Sequence, residues 1–104
     1  MSKHKLAYTK FYDLDGSSYI ACSICRQPAV DIHAIQPDGM GGTEQVRIEN
    51  LIALCREHHE RLGGRNSYKS MMYKIVFCDL MLFDKEMEME IDYEWLIKQI
   101  KRYE

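Results

Sequence analysis

The chain has no uninterrupted apolar run approaching the roughly 18 residues that a bilayer-spanning helix needs. Nor is its opening, Met1-Ser2-Lys3-His4-Lys5, followed by the apolar core of a signal peptide. Neither a membrane protein nor a signal-directed secreted one is therefore expected, and a cytoplasmic setting is. There is no basic excess either: 14 Lys and Arg face 16 Asp and Glu, a net charge of −2. That lacks the electrostatic footprint of a nonspecific nucleic-acid binder and confines any DNA contact to a local patch. Repeats and low-complexity stretches are missing as well. The composition, 46% hydrophobic and 29% charged, excludes a disordered, collagen-like or coiled-coil chain.

What is present fits one α+β domain over residues 1–104, since two separate cores in 104 residues would both be marginal. Residues 1–18 are polar with scattered aromatics and close on the turn-like Asp15-Gly16-Ser17-Ser18, so a loose N-terminal arm is expected there. Ala29 to Ile35 alternates weakly and predicts a short strand. Pro37 to Gly42 holds a proline and three glycines and must be a loop. Val46 to Leu54 predicts a second strand broken by Asn50, followed by a short helix over 55–62 that Gly63-Gly64 ends with a left-handed stop. Residues 66–104 form a mainly helical extension. Tyr68, Met71, Met72, Ile75, Val76 and Leu80 fall at helical spacing, although the apolar run 75–83 also fits a buried strand. Glu86 to Ile91 alternates with period two. Tyr93, Leu96, Ile97, Ile100 and Tyr103 mark an amphipathic helix behind Asp92 as N-cap. These Met and aromatic stripes read as core, and so does Cys78.

The chemistry concentrates in two pairs with equal spacing, Cys22-x-x-Cys25 and Cys55-x-x-His58, with His59 adjacent. A tetrahedral zinc takes four soft or borderline ligands, and a cysteine knuckle plus one helical turn can close on it from opposite sides. In a reducing compartment such cysteines point to metal before disulfides. The 29 residues between the pairs exceed the commonest two-pair spacing.

That long insertion carries a resemblance. Cys22-Ser23-Ile24-Cys25, Asp31-Ile32-His33-Ala34-Ile35-Gln36-Pro37, the glycine loop 39–42 and Asn50-Leu51-Ile52-Ala53-Leu54-Cys55-Arg56-Glu57-His58-His59 are similar to the zinc-containing HNH endonucleases, over roughly residues 20–65. The resemblance implies a treble-clef, ββα-metal core at 19–65 of phage or bacterial type: two antiparallel strands and a helix gripping a catalytic ion, braced by zinc. It implies Cys22, Cys25, Cys55 and His58 as structural zinc ligands, and His33 and His59 as ligands of a catalytic Mg2+, Mn2+ or Ni2+. Asn50 is implied as the residue tying the loop between the strands. His58 and His59 point about 100° apart around a helix, so they can serve different ions.

Position 34 departs from the family pattern. Where relatives carry the general-base histidine, this chain has Ala34, which accepts no proton; such a loss typically costs about 10² to 10⁴ in rate. The chain as written is expected to bind metal while cleaving poorly. Three explanations stay open: an introduced substitution, a relative turned into a binding module, or a register shift that makes His33 the base with Asp31 as ligand. Two function classes follow: an HNH-type DNA endonuclease hydrolysing phosphodiester bonds, impaired at Ala34, or a noncatalytic zinc-binding treble-clef module for nucleic acid or protein. Arg47, Arg56, Arg61, Arg65 and Lys69, helped by Lys3, Lys5 and Lys10, are the candidate phosphate contacts. Glu86, Glu88, Glu90 and Asp92 should turn away from DNA, leaving the C-terminal extension for a protein partner or a homodimer.

Overall fold

Helix α1 (Lys3–Phe11) opens the fold, followed by strand β1 (Asp31–Ala34), a 3-10 turn at Ile48–Asn50 and strand β2 (Leu51–Leu54). Helices α2 (Arg56–Leu62), α3 (Asn66–Met87) and α4 (Tyr93–Arg102) complete it. The computed structural model describes residues 2–14, 19–37, 46–87 and 90–104. The Asp15 to Ser18 turn, the glycine loop 39–42 and Glu88 lie outside the described residues. The fold is α+β, and no described helix is long and apolar enough to cross a membrane.

The two strands pair antiparallel, with Asp31 opposite Leu54, His33 opposite Ile52 and Ala34 opposite Leu51. All four residues of β2 are buried, because the pleat sends alternate side chains into different layers. Ile52 and Leu54 join Met72, Tyr73, Val76, Leu80 and Leu96 in the main core, whereas Leu51 and Ala53 join Ile32 beneath Ala7 and Tyr8 of α1. The pair of strands is thus sandwiched between α1 and the α3–α4 hairpin.

Half of the N-terminal arm, Lys3–Phe11, is an ordered helix, which corrects the expectation of a loose segment. Ser2 caps it, its Oγ accepting from the Lys5 amide at 3.1 Å, and Phe11 and Tyr12 pack on Phe83 of α3. The apolar run 75–83 is helical, and only one face of it is buried: Val76 and Leu80 are covered while Met81 and Leu82 are exposed. Cys78 lies on the exposed side, so its expected place in the core is corrected as well. Asp92 caps α4, accepting from the Trp95 amide at 3.0 Å.

Candidate metal centres

The first cluster is assembled by two local devices. Residues 22–25 turn tightly, with the Ile24 amide 3.5 Å from Cys22 Sγ and the Arg26 amide donating to Cys22 O at 3.0 Å. Arg26 leaves this knuckle at φ 69°, a left-handed backbone that a side chain seldom adopts. The Ser23 amide donates to Ala53 O at 2.9 Å, which pins the knuckle to β2. Across from it, Cys55 is the N-cap of α2 and its sulfur accepts from the His58 amide. The spacing of two therefore puts Cys55 and His58 on one helical turn.

The four donor atoms of Cys22, Cys25, Cys55 and His58 lie within 4.8 Å of one another, close enough to hold a metal ion. Their separations can be compared with a tetrahedral ion. Sulfur at 2.3 Å and imidazole nitrogen at about 2.05 Å from one centre stand about 3.8 Å (S to S) and about 3.6 Å (S to N) apart. Cys25 and Cys55 sulfurs are 3.7 Å apart, and His58 Nδ1 is 3.3 Å from Cys55 Sγ and 3.7 Å from Cys22 Sγ. These separations are compatible with a structural zinc. Burial of Cys22 opposes its thiolate, but backbone hydrogen bonds from Cys25, Cys55 and Ile24 outweigh that and bring the thiol down to about 6. Cys25 moves up: the Gln27 backbone favours its thiolate, but desolvation and the neighbouring sulfurs prevail.

A second cluster forms one residue further along α2. Asp31 and His33 are two apart on β1, so both side chains leave the same face of the strand, and His59 meets them there. Donor atoms of all three lie within 4.8 Å of one another. His59 Nε2 is 3.4 Å from Asp31 Oδ2, and the His33 and His59 rings stand edge to face, 5.3 Å between centroids. His33 Nε2 is buried without a hydrogen-bond partner, as an imidazole nitrogen reserved for a cation would be. Burial holds the His33 pKa below the ordinary histidine value, the charges of His59, Lys69 and His4 pushing the same way against Asp31. That favours the neutral ring, the form in which an imidazole can bind a metal. Gly63 makes the room: a Cβ there would stand 2.5 Å from His59 O, 3.1 Å from His59 Cδ2 and 3.5 Å from His33 Cε1. The left-handed stop itself falls on Gly64, at φ 76°.

Asn50 is outside this cluster and 1% exposed. Its Oδ1 accepts from the Gln36 amide at 3.1 Å and from the Tyr73 hydroxyl at 2.6 Å, and its Nδ2 donates to Gln36 O at 2.9 Å. It clamps the segment that follows β1 onto α3. Ala34 is half-buried and lines an open cleft of about 290 Å³ with Ser2, His4, Asp31, Ile32, His33 and Pro37. Asp31 enters the sequence reading only as the ligand of the register-shift alternative, and its place two residues before His33 on β1 is the signal that pairs them. His4 is the member of this neighbourhood that sequence reasoning left aside, having no signal beyond being a histidine.

The basic residues divide. Arg56 and Arg65 are exposed, and Arg61 pairs with Glu57 at 3.2 Å on the surface. Arg47 is drawn inward, between Glu49 and Asp92 at 3.4 Å each and over the Trp95 ring at 4.5 Å. Lys69 is buried over the Tyr103 ring, and burial lowers its pKa. Both are occupied within the fold instead of forming a phosphate-facing surface. Comparison of the chain with family models, curated proteins and solved structures yields no match.

Proposed function

We propose that the protein is a metal-dependent DNA endonuclease of HNH type, with zinc bracing a treble-clef core and a divalent cation, Mg2+, Mn2+ or Ni2+, held beside it. The observation that carries this reading is the meeting of Asp31, His33 and His59 in one cluster, of which Asp31 and His33 also line an open cleft, next to a four-donor cluster that shares helix α2. One carboxylate and two imidazoles form a donor set suited to a catalytic ion, because three protein ligands leave positions for substrate. When bound, such an ion supplies Lewis-acid polarisation of a phosphate and eases ionisation of water. The residues of the chain do the rest. His33 and His59 offer imidazole nitrogens, Asp31 orients the His59 ring, Asn50 fixes the segment beyond β1, and Lys3 and Lys5, exposed on α1, are available to a phosphate backbone. Thiolate ligands work in a reducing compartment, so we place the protein in the cytoplasm of a bacterial or phage-infected cell.

The second reading, a noncatalytic zinc-braced module, is favoured by Ala34, which leaves β1 without a proton acceptor at that position. Plasmid nicking in Mg2+, Mn2+ and Ni2+ by the wild type and by Ala34→His separates the two. Cleavage by Ala34→His supports the nuclease; a folded, metal-loaded Ala34→His protein that leaves plasmid intact refutes it.

A further inference from the structure

The knuckle that carries Cys22 and Cys25 also forms one wall of a cavity of about 490 Å³, whose other walls come from α1 and the C-terminal half of α3. Roughly 300 to 1,000 Å³ is the size of a small-molecule site. Tyr8 and Tyr12, four residues apart, line it from α1 and its cap, and Asp79 and Phe83, also four apart, line it from α3. The Tyr12 ring bridges the two helices, 4.7 Å from that of Tyr8 and 5.0 Å from that of Phe83. On the knuckle side the Tyr19 hydroxyl donates to Arg26 O at 2.8 Å, which ties two further lining residues together.

Among these rings stand two opposite charges. Asp79 is half-buried and Arg26 is exposed. Burial raises the Asp79 pKa and outweighs the charge of Arg26 and the Ser23 hydroxyl, which act the other way. Burial, with the charge of Asp79 behind it, pushes the Tyr8 hydroxyl up to about 12, so that ring stays neutral beside the carboxylate. The fold thus keeps a carboxylate at a cost to its own stability inside an aromatic cavity, as a group retained for a ligand would be. Leu82, 72% exposed, lines the same cavity, which gives an apolar residue on the outer side of α3 something to do.

Aromatic side chains stack any flat base, so the edge that meets the polar groups decides which one is held. A carboxylate only accepts, and it is best matched by two N–H donors side by side. Guanine offers N1–H and N2–H together, with the acceptors O6 and N7 on the neighbouring edge for a guanidinium. Adenine and cytosine set a ring-nitrogen acceptor beside their amine, and thymine flanks its one N–H with carbonyls, so each turns an acceptor toward the carboxylate. An organic cation would also suit Asp79 and the rings, but Arg26 in the same lining opposes it. We propose that this cavity is a guanine-binding pocket. Asp79 accepts from N1–H and N2–H, Arg26 donates to O6 and N7, and the base stacks among Tyr8, Tyr12, Tyr19 and Phe83. The guanine is that of a free nucleotide or an unpaired base in a single strand. The assignment goes beyond the nuclease reading and concerns binding alone.

The test uses the full chain loaded with zinc and without added Mn2+, so that binding is read apart from any cleavage. Calorimetry measures dGMP, dIMP, dAMP, dCMP and dTMP on wild type, Asp79→Asn and Arg26→Gln, with thermal unfolding read on each protein. Fluorescence anisotropy measures oligothymidylates with and without a single guanine. The wild type should bind dGMP about tenfold or more tighter than dAMP, dCMP and dTMP, the worth of a hydrogen bond to a charged group. Binding of dIMP, which lacks the exocyclic amine, should fall between. Asp79→Asn should fold at least as well as the wild type and lose the preference, and Arg26→Gln should weaken it. A guanine-dependent gain in oligonucleotide affinity supports the pocket with an unpaired base as its ligand, and dGMP preference without that gain supports it with a free nucleotide. The assignment is overturned if the wild type binds dGMP no better than dAMP, dCMP and dTMP, or binds none of them. It is equally overturned if a folded Asp79→Asn protein keeps the wild-type preference, or if tetramethylammonium binds in place of dGMP. Plasmid nicking by Ala34→His is read separately, so failure of cleavage there leaves the pocket standing and failure of binding here leaves the nuclease reading standing.

Discussion

Replacing Asn50 with alanine should destabilise the fold strongly. Among the described residues the side chain hydrogen-bonds to the Gln36 amide and carbonyl and to the Tyr73 hydroxyl, and it is 1% exposed. Alanine leaves those three groups without this partner, and a buried polar group left unsatisfied costs about 1 to 3 kcal/mol. Gln36 is half-buried, so water can reach part of the gap, whereas Tyr73 is fully buried. A loss of about 3 to 5 kcal/mol follows, a large share of the roughly 5 to 15 kcal/mol that holds a domain together. At about 4 to 8 °C per kcal/mol for a chain of this size, the melting temperature should fall by about 12 °C or more. Differential scanning calorimetry with zinc in fixed excess measures this, because bound metal shifts apparent stability by mass action. Tyr73→Phe should cost less, and the double variant should fall short of the sum, since both changes break the same bond. If Asn50→Ala costs under about 1 kcal/mol, or if the two changes add in full, the clamp is not what holds the segment beyond β1.

Gly63→Ala should displace His59, because the new Cβ would stand 2.5 Å from its carbonyl and 3.1 Å from its ring. Isothermal titration should show weakened Mn2+ binding while the zinc content by elemental analysis stays at the wild-type value. Asp79→Asn tests a burial cost elsewhere. Burial raises the Asp79 pKa, against the opposing influence of Arg26 and Ser23, so the ionised form is disfavoured in the folded state. The cost is present above the raised pKa and vanishes as pH falls to the ordinary aspartate range. Asp79→Asn should therefore unfold at higher urea than the wild type at pH 7, with the difference closing near pH 4 or below.

The four-donor cluster was legible because its spacing is a local property: two residues between donors suit a knuckle and a helical turn. The pairing of β1 with β2 and the helix behind Cys55 follow from the same stretch of sequence. Helix α1 was hidden because it has little apolar face of its own. Leu6 points to solvent, Thr9 is buried, and Ala7 and Tyr8 find their cover only on Ile32, Leu51 and Ala53. Its one local signal is the Ser2 cap. In α3 the run from Ile75 to Phe83 masks the helical period, because exposed Met81 and Leu82 are as apolar as buried Val76 and Leu80. Charge pattern alone could not separate Arg47 and Lys69 from the surface arginines, since what draws them inward is Trp95 and Tyr103, brought in from α4. The cleft wall at His4 likewise exists only once α1 is laid on β1.

The most direct test of two neighbouring but separate metal centres is metal content by native mass spectrometry, on wild type, His59→Ala and Cys55→Ser. The wild type should carry one zinc that survives dialysis and should bind a second, weaker divalent ion. His59→Ala should keep the zinc and lose only the second ion. Cys55→Ser should lose the zinc and its folded charge-state distribution with it, since structural zinc contributes about 10 to 16 kcal/mol apparent to small domains. A His59→Ala protein that loses zinc, or a folded Cys55→Ser protein with zinc still bound, would contradict the account.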